Sequence, residues 1–295
     1  MPVLLQEGLP ALEAIVAEGG AAGVRGSRAA DINVCVVNLM PKKLETELQL
    51  ARMLGSAAPV VSISFAAPRD YAARNAPEGH LDRFYQRGAA FDDMALDGLV
   101  ITGAPIETMD FEDVTYWAEI GELLDIARAT SLPILSLCWG AQAALYHYYG
   151  VPKRLLPEKR FGVFAHHVED RASPFAAKLS DAPVMPVSRW TETRIEDLAA
   201  LPHLKPLLIS PEAGLGALAD EALGHLHVLN HFEYDAETLN AEYQRDLQKG
   251  ARIQPPEHYF PNNDPSLPPP HAWRDDARAF YGAWVEWVAA RRSRK

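Results

Sequence analysis

Three stretches of the chain are apolar without alternation: INVCVVNL over 32–39, LDGLVITG over 96–103 and LPILSLC over 132–138. A strand with one solvated face alternates apolar and polar residues, whereas a strand covered on both faces need not. These runs therefore predict inner strands of a parallel sheet. Between and after them the period lengthens to that of a helix. Leu44, Leu48, Ala51 and Leu54 share one face after the first run, and Trp117, Ile120, Leu124 and Ile126 form another after the second. Strand and helix in alternation predict an α/β protein with an open, mostly parallel sheet flanked by helices. In such sheets ligands bind beyond the carboxyl ends of the strands, where NLMPKK, TGAP and CWG all fall.

The second half of the chain is less regular. FGVFAHHV (161–168) and HLHVLNH (225–231) read as further strands. The segment from Asp235 to Gly250 reads as a helix, with Asp235 as its cap, Leu239, Tyr243 and Leu247 as its stripe and Gly250 as its end. A proline-rich stretch over 255–271 predicts irregular backbone. A last helix from about Trp273 carries Phe280, Trp284, Trp287 and Val288 on an apolar face that docks it to the body. No linker or internal repeat separates the halves. The expectation is one domain over 1–295, with an N-terminal extension over about 1–30 and a C-terminal proline-rich loop plus docking helix over about 251–295.

Composition narrows the function. With 48% hydrophobic residues the 295-residue chain can bury a large core, and a formal net charge of −11 argues against nucleic acid as a partner. The N-terminus lacks a basic leader and no run reaches the length of a membrane span, so a cytoplasmic protein with no membrane partner is expected. The two cysteines, Cys35 and Cys138, stand alone, without the pairing of a disulfide framework or a zinc site.

Cys138 carries the chemistry. It ends an apolar run, and the small residues Gly140, Ala141, Ala143 and Ala144 follow at once. A strand turning sharply into a helix sets a nucleophile at such an elbow, with backbone N–H groups beside it. Far downstream, His231 and Glu233 supply a base and a carboxylate able to orient it. The N–H of Trp139, with one from Gly103 or Ala104, suits an oxyanion, a donor worth about 3 kcal/mol of barrier in such sites. The alternative for Cys138 is ordinary core packing, which is the expected role of Cys35 in mid-strand. His147, His166, His167, His225 and His227 read as structural, and no metal site is expected: the pair His166-His167 lacks the spacing of a zinc motif.

On these residues the chain resembles the homoserine O-acyltransferases. The resemblance rests on NLMPKKLETE (38–47), ITGAPIE (101–107), FEDVTYW (111–117), CWGAQAAL (138–145), YGVPKRLLPEKRFGVF (149–164), SRWTETR (188–194), HFEYDAETLNAEYQRDLQKG (231–250) and YFPNNDP (259–265). It implies a fold similar to class I glutamine amidotransferases (flavodoxin-like) and a ping-pong reaction in methionine biosynthesis. Cys138 would take the acyl group from acyl-CoA and His231, held by Glu233, would pass it to the hydroxyl of homoserine. Acyl-CoA would be a co-substrate, with no cofactor bound permanently, and the enzyme a homodimer.

The resemblance also places Lys43, Lys159, Ser188, Arg189 and Arg245 as amino-acid and carboxylate-binding groups, although Arg245, off the apolar stripe of its helix, suits a solvated position too. It makes Glu107 the residue that favours acetyl over succinyl, since a carboxylate beside the acyl tail repels a second one. The other reading of Glu107 is a solvated surface residue. Four positions depart from the family pattern: Asn230 and Phe232 flank His231 where glycine and proline are usual, Val187 replaces a histidine before Ser188-Arg189, and Trp190 follows that pair. These departures keep serine open as an acceptor. Three further readings stand beside acetyl transfer to homoserine: a homoserine O-succinyltransferase, a glutamine amidotransferase-type hydrolase using the same cysteine, histidine and glutamate, and a non-catalytic α/β binding protein that kept the scaffold.

Overall fold

The computed structural model of the chain describes residues 3–71, 75–88, 95–250 and 253–293. The ends of the predicted terminal segments, residues 1–2, 251–252 and 294–295, lie outside them. Thirteen strands are present among the described residues: β1 (Val3–Leu5), β2 (Ala22–Val24), β3 (Ile32–Val37), β4 (Val61–Ala67), β5 (Tyr85–Arg87), β6 (Gly98–Ile101), β7 (Ile134–Leu137), β8 (Arg154–Ala165), β9 (His167–Val168), β10 (Val184–Glu192), β11 (Lys205–Ser210), β12 (Gly214–Asp220) and β13 (His225–Val228). The helices are α1 (Pro10–Ala17), α2 (Lys43–Leu54), α3 (His80–Phe84), α4 (Trp117–Ala129), α5 (Trp139–Tyr149), α6 (Thr238–Gln248) and α7 (Arg274–Arg292).

One large sheet runs β2-β1-β4-β3-β6-β7-β13-β12-β11-β9, with β5 beside β4. Pairing is parallel from β2 to β13 and antiparallel from there to β9. The three apolar runs are thus neighbours, β3-β6-β7, at the middle of an α/β sheet. Their lack of alternation has a direct cause. On β3, Val34 and Val36 point into a core formed with α1, α2 and α7, while Cys35 and Val37 point into a second core formed with α4 and α5.

Several elements differ from the sequence-based expectation. The strand β4, VSISFAA, was not anticipated, because Ser62 and Ser64 interrupt its apolar run, yet it sits between β1 and β3. The first residues join the same sheet: β1 pairs with both β2 and β4. The stretch 161–168 is split, its first part completing the long β8–β10 hairpin and its last two residues forming β9 on the far edge. Helix α6 begins at Thr238, and Asp235 does not cap it. The Asp235 carboxylate instead holds the Arg52 guanidinium at 2.8 and 2.9 Å. Gly250 does close this helix, with φ +76° and its N–H on Leu247 O at 2.9 Å. Helix α7 buries Phe280, Trp284 and Val288 as expected.

Candidate active site

The turn from β7 to α5 is an elbow. Cys138 takes φ +48° and ψ −113°, a region that costs a non-glycine residue on the order of 1–3 kcal/mol and persists only where neighbours enforce it. Here the Cys138 N–H is bound to Val228 O at 2.7 Å, and the Cys138 carbonyl accepts from Gln142 N at 3.1 Å. The small residues after it are explained by the end of β6. A Cβ on Gly140 would lie 2.7 Å from the carbonyl oxygens of both Ile101 and Thr102, so α5 approaches that strand only with glycine there. One on Gly103 would lie 3.2 Å from Cys138 Cβ. These contacts set Gly103 and Ala104 beside Cys138, where all three line one cavity of about 420 Å³. Cys35, by contrast, is fully buried in the sheet, and burial pushes its thiol up to about 12.

His231 enters from β13. The strand ends at Val228; Leu229 N still bonds Gly216 O of β12 at 2.8 Å, and the chain then crosses to β10, with His231 N on Pro186 O at 2.9 Å. A turn closed by Tyr234 N on His231 O folds Glu233 back over the ring, while Phe232 is buried against Phe280. His231 Nδ1 donates to Glu233 Oε1 at 2.6 Å, and the other oxygen of Glu233 accepts from the Tyr281 hydroxyl at 3.1 Å. The Tyr234 ring stacks on the imidazole, 4.2 Å between centroids. Burial disfavours charge on the imidazole, but Glu233 and then Cys138, which shares a hydrogen bond with it, outweigh burial and hold His231 well above the ordinary histidine value. Cysteine, histidine and glutamate therefore form one connected chain opening on the cavity.

Among the predicted binding residues, Lys159, Ser188, Arg245 and Glu107 line that cavity. Lys159 lies over the Phe161 ring at 4.0 Å and within 3.5 and 3.6 Å of Glu242 and Asp246. The Ser188 hydroxyl donates to Glu242 at 2.5 Å, and Arg245 Nε to Asp246 at 2.7 Å. Burial raises Asp246, but Arg245 and Lys159 more than reverse this and leave it below the usual carboxylate range. Glu107 is pushed up by burial, although it accepts from the Trp190 N–H and lies 3.4 Å from the Thr191 hydroxyl. It faces the cavity rather than bulk solvent.

Lys43 and Arg189 do not line the cavity. Lys43 is fully buried, donates to Asn38 O at 2.5 Å and sits 4.1 Å over the Tyr71 ring. Burial, opposed by Glu47, pulls it down to about 7. It braces the loop after β3, whose Met40 and Pro41 form part of the cavity wall. Arg189 is buried at 3% exposure and spends its N–H groups on Thr191 O at 2.9 Å, Asn230 Oδ1 at 3.3 Å and Ala213 O.

Sequence reasoning missed Glu242, Asp246 and Tyr234, which line the cavity, and Tyr281 behind Glu233. The spacing Glu242-Arg245-Asp246 on α6 was the legible signal, since i, i+3 and i+4 share a helix face. Tyr281 left no local trace. No group of three or more histidine, cysteine, aspartate or glutamate side chains among the described residues is arranged to hold a metal, and no helix among them is long and apolar enough to cross a membrane.

Comparison with solved structures places the fold. The chain superposes on a glutamine amidotransferase from Thermotoga maritima with a TM-score of 0.57 at 11% identity, covering 88% of this chain and 99% of that one. It superposes on a glutamine amidotransferase from Methylobacillus flagellatus with a TM-score of 0.53 at 17% identity, covering 89% and 94%. At such identities the likeness is one of fold, that of class I glutamine amidotransferases. In sequence, the chain is 40% identical over 289 residues to a homoserine O-acetyltransferase of Rhizobium rhizogenes, covering 97% of this chain and 94% of the relative. It is 40% identical over 294 residues to one of Chelativorans sp., covering 98% and 94%. The model of the homoserine O-succinyltransferase family matches residues 2–294. By that match and those relatives, the chain belongs to the homoserine O-succinyltransferase family of acyltransferases.

Proposed function

We propose that this member of a homoserine O-acyltransferase family transfers an acetyl group from acetyl-CoA to the hydroxyl of homoserine through a thioester on Cys138. The observation that carries this reading is the connected chain Cys138–His231–Glu233 at a strained elbow that opens on a cavity walled by paired cations and carboxylates. In the first half-reaction His231 takes the thiol proton and the thiolate attacks the thioester carbonyl. The negative charge that develops on that oxygen is met by the N–H of Trp139, first in α5, and of Gly103 or Ala104. The C–S bond to CoA then breaks, and His231 returns its proton to the departing thiolate. In the second half-reaction His231 deprotonates the homoserine hydroxyl, that oxygen attacks the enzyme thioester, and the Cys138 sulfur leaves.

Glu233, held from behind by Tyr281, keeps the imidazole in one tautomer and offsets its charge. A zwitterionic amino acid suits the far wall. Its carboxylate would meet Arg245 and Lys159 and its ammonium Glu242 and Asp246, groups that neutralise one another before it binds. Glu107, a buried carboxylate on the same cavity, favours an acetyl tail over one ending in a second carboxylate.

Intact mass after brief exposure to acetyl-CoA tests the reading. One acetyl group is expected on the wild type and none on Cys138→Ala, with release on adding homoserine. An unlabelled wild type, or a labelled Cys138→Ala, overturns it. Steady ammonia release from glutamine would favour the hydrolase, and faster discharge by serine would move the acceptor.

A further inference from the structure

Arg189 is where the resemblance and the geometry part. A guanidinium that serves a substrate carboxylate must offer N–H groups to the cavity. This one is 3% exposed, does not line the cavity, and gives its N–H groups to the carbonyls of Thr191 and Ala213 and to the side-chain oxygen of Asn230. All three acceptors are neutral, and among the described residues no carboxylate pairs with it. Burying a charge without a counter-ion is costly, so a guanidinium held this way calls for a reason in its surroundings.

The surroundings of Arg189 indicate what gains. Asn230 immediately precedes His231, and Thr191 hydrogen-bonds through its hydroxyl to Gln142, one turn after Cys138, at 3.0 Å. Its charged neighbours are Cys138, Glu192 and Glu107, which favour its charge, and Arg160, which opposes it. On the cavity side Lys159 is already shared between Glu242 and Asp246, and Arg245 is held by Asp246. His231 is balanced by Glu233. The remaining neighbour, His166, donates through Nδ1 to Phe164 O, accepts the Asn230 amide at 2.9 Å on Nε2, and is drawn down by burial to about 4, so it is neutral. A thiolate on Cys138 therefore adds negative charge to a site that already holds Glu233 and Glu107. Against that charge Arg189 is a buried cation whose N–H groups all go to neutral acceptors.

We propose that Arg189 acts as an internal counter-charge for the Cys138 thiolate, stabilising it through the protein rather than binding a substrate carboxylate. This rests on Cys138 being the reacting thiol, and it makes Arg189 a positioning residue of electrostatic kind, never in contact with substrate.

Alkylation by iodoacetamide, followed by mass against pH, tests it without any acyl donor, so it can fail independently of the acetyl-adduct experiment. The signal belongs to Cys138, because Cys35 is fully buried with its thiol held near 12. Three variants separate charge from structure, each first checked for native circular dichroism. Arg189→Gln removes the charge and should move the midpoint of the alkylation profile up by about one pH unit or more, roughly a tenfold slower reaction below the midpoint. Arg189→Lys keeps the charge without the fork and should leave the midpoint within about 0.3 of wild type. Asn230→Ala cuts the same hydrogen-bond network at constant charge and should also leave it in place. An unmoved midpoint in folded Arg189→Gln overturns the proposal. So does a rise of a unit in Arg189→Lys or Asn230→Ala, and these two variants decide it if Arg189→Gln does not fold.

Discussion

The two walls of the cavity are built on different principles. On one, Cys138, Gly103 and Ala104 are set by backbone against backbone: an elbow pinned to β13, and a helix start packed so closely on the carbonyls of Ile101 and Thr102 that a Cβ at Gly140 would lie 2.7 Å from both. On the other, Lys159, Ser188, Glu242, Arg245 and Asp246 are set by side chain against side chain, at ion-pair distances of 3.5 and 3.6 Å around Lys159, with the Arg245 side chain 40% exposed. The first wall has little freedom to drift, which is what bond-making demands. The second can exchange internal partners for those of an incoming zwitterion. On the proposed reading, chemistry is fixed by topology, and recognition by a charge network that can be retuned.

Substitutions behind the rigid wall should cost turnover. After loss of the thiol itself, the largest effect is expected from Glu233→Gln, which leaves the shape of the triad but not its charge. Turnover, read as CoA release, should fall by about 10²–10⁴-fold with little change in KM for homoserine. The same substitution has a pH signature. His231 is held above its unfolded value, so the pair contributes stability that is fully present below the unfolded value of 6.5 and is lost as pH rises through the higher folded one. Urea titrations should show wild type ahead of Glu233→Gln by the widest margin at about pH 5–6, and by less as the medium becomes alkaline. A margin that grows with pH contradicts a charged His231.

The rigid wall was also the legible one. A strand-end cysteine followed by small residues implied an elbow before any coordinates, because the steric demand of that turn is written locally. The apolar runs of β3, β6 and β7 were legible for the same kind of reason, each being covered on both faces. What the sequence concealed was long-range. Strand β4 is interrupted by serines that the neighbouring strands tolerate, and Tyr281 meets Glu233 across 48 residues of chain. The roles of Lys43 and Arg189 hinge on which way a buried cation points, and a motif match does not carry that.

On the adjustable wall the expected effects are smaller and fall on KM. Arg245→Ala should raise KM for the amino acid by about 10- to 100-fold, the worth of one charge-assisted hydrogen bond at about 1.5–3 kcal/mol, with kcat changed much less. A fall in kcat as large as the rise in KM would place Arg245 with the chemistry and erase the contrast between walls. Glu107→Gly should alter neither greatly with acetyl-CoA but should improve the succinyl-to-acetyl ratio of kcat/KM by about tenfold, through removal of a like charge from a partly desolvated site. A wild type that already prefers succinyl-CoA ends that account of Glu107.

The smallest effect on catalysis is expected at Lys43, and it is the sharpest test of where the adjustable wall stops. Were Lys43 a ligand for the substrate carboxylate, Lys43→Met would raise KM as Arg245→Ala does. Its geometry predicts otherwise, because its ammonium is committed to Asn38 O and the Tyr71 ring behind the loop that carries Met40 and Pro41. KM for homoserine should stay within about twofold, since no charge-assisted contact worth 1.5–3 kcal/mol is lost. Stability should instead carry the signature. Burial holds Lys43 at about 7 in the folded protein against 10.5 ordinarily, so between those values the unfolded chain binds the extra proton. Stability then rises with pH through that window in wild type, by a contribution that Lys43→Met lacks. Denaturation at pH 7 and pH 9.5 should therefore move wild type upward relative to the variant, and a parallel response of the two proteins would mean that Lys43 keeps its proton and faces water.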